Sequence, residues 1–155
     1  MLKIEKILSA TDFSEPSFYA LKFANEFAVH FNAELVVINV VPPIPITSTP
    51  PPFTAAGVPG SLDLNAYRQS LVESAQKELM KIIEKYIAPQ LKITTVVEYG
   101  DPAERILYTA EKSKVDLIVI STHGRSGWRQ FIFGSVAEKI IRIAKQPVLT
   151  VRKLN

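Results

Sequence analysis

The chain has 155 residues, of which 18 are basic and 15 acidic, for a net charge of +3; hydrophobic side chains make up 47% and charged ones 21%. That is the balance of a single folded domain over residues 1–155, long enough to bury roughly 68–70% of its unfolded surface. With no cysteine there is no disulfide or thiolate chemistry; the mild, scattered positive charge gives no case for nucleic acid; and no apolar run reaches the roughly 18 residues of a membrane span.

In chain order, residues 4–10 read as a first strand. Residues 16–31 read as a helix, with Ser14 as N-cap, Pro16 in the first turn, and Leu21, Ala24, Ala28 and Phe31 on its apolar face. Residues 34–41 form an apolar run of the buried-strand type. A loop at about 42–62 follows, carrying seven of the eleven prolines, so neither helix nor sheet ladder can persist there. It is long for a compact domain, which suits a surface excursion, or else a lid or a partner-binding arm.

Residues 63–88 read as a long helix with Leu71, Ala75, Leu79, Ile82 and Ile83 as its apolar stripe, stopped by Pro89. Residues 92–98 read as a third strand. Asp101 then caps a helix that has Pro102 in its first position and runs to about Ser113. A fourth strand at 116–120, a glycine-bearing loop, a helix at 136–142 capped by Ser135, and a fifth strand at 146–152 complete the chain.

Strands alternating with helices imply a parallel sheet covered on both faces. The expected fold is α/β: a single doubly wound, Rossmann-like or flavodoxin-like sandwich with five strands in the order 3-2-1-4-5. Ligands of such sheets bind beyond the carboxyl ends of the strands at the switch point, here between the first and fourth strands.

The residues arriving there suit phosphate. A loop that leaves a strand and ends at a helix N-terminus presents backbone N–H groups at the positive end of a helix dipole. Gly124 and Gly134 frame that loop, and Arg125 and Arg129 are available to neutralise charge. Asp12, just past the first strand, could accept from a ribose hydroxyl or help hold a metal ion; its alternative duty is to cap the loop it sits in. Other chemistries lack their residues. There is no Walker A loop and no G-x-G-x-x-G after the first strand. Residues 124–127 are one short of a nucleophile elbow. His30 and His123 lie far apart without carboxylates at ligand spacing, which argues against a transition-metal site.

Across nearly its whole length the chain resembles the universal stress protein family. The segments that carry the resemblance are 6–14, 100–103, 122–125 with 134–138, and 147–151. The ATP-binding members look like G-x-x-G-x9-G-[ST] in the loop after the fourth strand. Gly124, nine residues, then Gly134-Ser135 match it, while Ser121 stands in place of the first glycine. The resemblance implies an ATP or AMP site accompanied by Mg²⁺. Ala10, Thr11 and Asp12 would lie by the nucleoside, Val40 would meet the adenine through its backbone, and Ser121 would lie near the ribose. Gly124, Arg125, Gly134, Ser135 and Val136 would hold the phosphates. It further implies a homodimer joined through the last strand, Val148, Leu149, Thr150 and Val151.

The expected function is therefore that of a dimeric, nucleotide-binding stress-response or signalling module. The alternatives are an interaction module of the same family that binds no nucleotide, and a slow ATPase for which no general base is evident. Without an apolar leader at the N-terminus, the expected compartment is the cytoplasm.

Overall fold

The computed structural model describes residues 3–43, 64–122 and 133–152. They form β1 (Lys6–Ala10), α1 (Glu15–Phe31), β2 (Glu34–Val41), α2 (Leu64–Tyr86), β3 (Ile93–Tyr99), α3 (Pro102–Lys112), β4 (Leu117–Ser121), α4 (Ser135–Ile143) and β5 (Val148–Val151). The five strands are all parallel and lie in the order β3-β2-β1-β4-β5, as expected for a doubly wound sheet.

Local signals set most of the boundaries. Ser14 caps α1 by accepting the Ser17 N–H, and Asn32 ends the helix in the left-handed region at φ 52°. Asp101 caps α3, its Oδ1 accepting the Glu104 N–H at 2.9 Å, with Pro102 in the first helical position. Asp116 fixes the entry to the sheet, since its Oδ2 accepts the N–H groups of both Glu5 and Lys6 at 2.9 Å.

Two cores lie on opposite faces of the sheet. Leu35 and Val37 of β2 join Leu21, Ala24 and Ala28 of α1 and Leu79 and Ile82 of α2 on one face. Val36 and Ile38 join Ile106 of α3 and Ile140 of α4 on the other. A strand buried on both sides needs an unbroken apolar run, which is what β2 has up to Asn39. Burying each Leu, Ile or Val of these clusters contributes about 1.5–3 kcal/mol.

Three expectations are corrected. Phe31 is 39% exposed, because α1 ends there and its ring stacks on Phe27 instead of entering the core. Leu71 is only half-buried and lines a cavity, so the stripe of α2 packed on the core narrows to Ala75, Leu79 and Ile82, all buried, with Ile83 partly buried beside them. The N-cap of α4 is Gly134 rather than Ser135, which is the first helical residue.

Candidate functional site

β1 and β4 are neighbours, and their outgoing connections lead to opposite faces of the sheet: α1 packs in one core and α4 in the other. A crevice must open between the two connections. It is a cavity of about 640 Å³, within the usual range for small-molecule sites. Eight of the residues expected at a ligand line it: Ala10, Thr11, Asp12, Val40, Ser121, Gly134, Ser135 and Val136. Gly124 and Arg125 lie outside the described residues, as do His123 and Arg129 and all of the Pro-rich loop beyond Pro43.

The floor is built by the end of β1. The Thr11 N–H donates to the Ile38 carbonyl at 2.9 Å. The Thr11 and Ser17 hydroxyls share a buried 2.9 Å hydrogen bond, and the Phe13 N–H donates to Thr11 Oγ1 at 3.1 Å. Asp12 Oδ1 accepts both the backbone N–H and the hydroxyl of Ser14, the residue that caps α1. The capping duty of Asp12 is thus present, in a side chain that also borders the cavity. The turn holds Phe13 at φ 64°, a left-handed conformation that bulky residues rarely adopt.

The wall at β2 has an open backbone edge. Even-numbered residues of β2 turn their N–H and C=O towards β1: Glu34 donates to the Glu5 carbonyl, and the Ile38 carbonyl accepts from Thr11. Odd-numbered ones turn towards β3, as Leu35 donating to the Lys92 carbonyl shows. Pairing with β1 ends at Ile38, opposite Ala10. Val40 is therefore paired in register with Glu98 of β3, while its own N–H and C=O face the β1 side, where the strand has ended.

The opposite wall is the start of α4. Gly134 caps the helix at φ −71° and ψ 159° and, being glycine, makes no side-chain cap hydrogen bond to the first-turn N–H groups. Those donors and the helix dipole make this end of the cavity favourable to an anion. Lys139 holds α4 to α3 through Asp101 Oδ1 at 3.2 Å and Glu104 Oε1 at 3.1 Å. The Glu104 N–H, and after it Lys139, keep the Asp101 carboxyl below the usual carboxylate range.

Sequence reasoning did not foresee Asn39, or the α2 face of Leu71, Ser74 and Glu78, among the cavity's lining residues. The signal for Asn39 was visible: it is the one polar residue inside the apolar run from Leu35 to Val41. The α2 contribution had no such signal, because it depends on where the helix docks. Asp12 and Glu78 are the carboxylates of the lining, and no cluster of three or more metal-type ligands occurs among the described residues. No helix among the described residues is long and apolar enough to cross a membrane.

Comparison with known proteins agrees with this architecture. Universal stress protein MJ0531 of Methanocaldococcus jannaschii is 38% identical over 149 residues, covering 96% of this chain and 82% of the relative. The solved structure of protein MJ0577 from the same organism superposes with a TM-score of 0.82 at 28% identity, covering 99% of each chain. A universal stress protein of Archaeoglobus fulgidus, solved in complex with dAMP, shares the fold at a TM-score of 0.57 and 21% identity, covering 97% of this chain and 98% of its own. The profile of the universal stress protein family matches residues 3–152, and the chain belongs to that family.

Proposed function

We propose that the cavity binds an adenine nucleotide, ATP or AMP, with the base against Val40 and the phosphates at the N-terminus of α4. The observation that carries this reading is the unpaired edge of Val40, which shares one cavity with the N-terminus of α4, where the Gly134 cap makes no side-chain hydrogen bond. A residue whose N–H and C=O point the same way offers a donor beside an acceptor. The Watson–Crick edge of adenine offers the complement, a ring nitrogen that accepts beside an amino group that donates. Guanine presents the reverse order there and would meet like with like, leaving polar groups unpaired.

The remaining residues fit the rest of such a ligand. Apolar side chains such as Ile38, Val41 and Ile120 supply surface for the base. The α4 N-terminus with Gly134, Ser135 and Val136 suits phosphate oxygens, together with Gly124 and Arg125 from the loop before it. Mg²⁺, when bound, would neutralise phosphate charge; one carboxylate with phosphate oxygens and water is an ordinary donor set for that ion, and Asp12 is the acid at hand. A universal stress protein of Archaeoglobus fulgidus was solved in complex with dAMP, which supports a nucleotide as the kind of ligand.

The chain so read is a cytoplasmic stress-response or signalling module, a homodimer paired through β5, in which the bound nucleotide reports energy state. Native mass spectrometry of protein purified without added nucleotide, followed by acid release, tests the ligand. ATP or AMP should be released, and titration should favour AMP over GMP by at least tenfold. Protein that is empty and indifferent to millimolar Mg-ATP would sink the reading.

A further inference from the structure

We infer that Asn39 is a positioning residue whose carboxamide keeps the backbone edge of Val40 open for the ligand. This rests on the reading of the cavity as an adenine-nucleotide site.

The argument comes from the sheet ladder. In a parallel pair the rungs alternate evenly between the strands. After the Thr11 N–H donates to the Ile38 carbonyl, the next rung would run from the Val40 N–H to the Thr11 carbonyl. That rung is replaced. The Thr11 carbonyl accepts from Asn39 Nδ2 at 2.8 Å.

Asn39 reaches it from outside the plane of the ladder. Alternation along β2 puts residue 39 on the face of Leu35 and Val37, towards α1 and α2. The side chain is only 4% exposed. A buried carboxamide in a strand is costly, whereas Val or Ile at this position would pack and propagate the strand better. What the Asn provides is a donor that binds the Thr11 carbonyl from outside the ladder, where, among the described residues, continued pairing would have offered that carbonyl to the Val40 N–H. Thr11 is held for this by three further contacts, its N–H to Ile38 and its hydroxyl to Ser17 and Phe13. Without the amide, β1 and β2 can zip one rung further and the adenine-reading edge becomes ordinary sheet.

Backbone amide hydrogen exchange of the ligand-free protein tests this directly. In the wild type the Val40 amide should exchange at least tenfold faster than the Ile38 amide, and AMP should slow it. In Asn39→Val, and in the smaller Asn39→Ala, the Val40 amide should become protected without ligand, and AMP affinity should fall at least tenfold. A wild-type Val40 amide already as slow as that of Ile38 overturns the inference whether or not either variant folds. So does a folded variant in which Val40 still exchanges fast, or one in which it is protected while AMP binds as before. Failure of the nucleotide reading shows differently: wild-type protein would ignore AMP, while the exchange comparison between Val40 and Ile38 would still decide what Asn39 does to the ladder.

Discussion

Gly134 donates its backbone N–H to the carbonyl of Thr122 at 2.7 Å. The bond ties the residue after β4 to the N-cap of α4 at the rim of the cavity. Thr122 is itself anchored, its N–H donating to the Val151 carbonyl. The arrangement brings Ser121, at the end of a strand, and Ser135, at the start of a helix, to the same cavity although thirteen residues lie between them.

Because Gly134 sits at φ −71°, any residue can adopt its backbone conformation, and Gly134→Val should not strain the chain. The cap carries no side-chain hydrogen bond, so the loss of stability should stay at or below about 1 kcal/mol. The branched side chain would instead stand at the cavity lining. Calorimetric titration with ATP should show at least a tenfold loss of affinity beside a small shift in melting temperature. Unchanged affinity would put the phosphates elsewhere.

On the proposed nucleotide reading Asp12 has two duties, accepting from Ser14 and holding Mg²⁺, and different substitutions separate them. Asp12→Asn keeps an oxygen to accept from Ser14 but loses the charge, so stability should change little while the gain in ATP affinity conferred by Mg²⁺ falls severalfold. Asp12→Ala loses the acceptor as well and should cost a further 0.5–2 kcal/mol or so, the usual range for a lost cap. Thermal melts and ATP titrations with and without Mg²⁺ distinguish the two. If Asp12→Asn retained the full Mg²⁺ effect, the metal would not be held by this carboxylate.

Glu34, at the start of β2, should govern part of the acid sensitivity. The Lys92 ammonium at 2.8 Å and the Thr94 hydroxyl at 2.8 Å hold its carboxyl below the usual range, with Lys6 adding to the effect. A folded-state pKa below the unfolded one gives stability that is complete above the unfolded pKa and is lost as pH falls through the folded one. Denaturant melts should therefore show Glu34→Gln less stable than wild type at pH 7, by about 1 kcal/mol. The two should converge in acid below the folded-state pKa. Parallel curves would mean that the ion pairs contribute nothing.

The sheet was legible because its strands are apolar runs punctuated by Gly, Pro and Asp, and the predicted β2 matches the observed Glu34–Val41 residue for residue. The capping of α1 and α3 was legible for the same local reason. At α4 the sequence pointed to Ser135 as the cap, and Gly134 just before it is an acceptable cap as well. The choice fell to Gly134, whose N–H a distant strand end engages, and no local pattern carries that. Likewise Asp12, Gly134 and Ser135 could be named from their loops. Asn39 and the α2 wall required knowing where β1 stops and which face of α2 turns to the cavity.

The outer edge of β5 lends itself to a clean test of dimerisation. Ile118 donates to the Pro147 carbonyl and Thr122 to that of Val151, so odd-numbered residues of this strand turn their backbone towards β4. Val148 and Thr150 must then present theirs outward, at the open edge of the sheet. Thr150→Pro removes an outward N–H without breaking a rung to β4, the position in a strand that tolerates proline. If two copies pair through β5, the variant should keep its circular dichroism and nucleotide affinity yet weaken dimerisation at least tenfold in analytical ultracentrifugation. A folded variant that dimerises like the wild type would move the interface off this edge, since a second strand cannot pair in register with a proline at its centre.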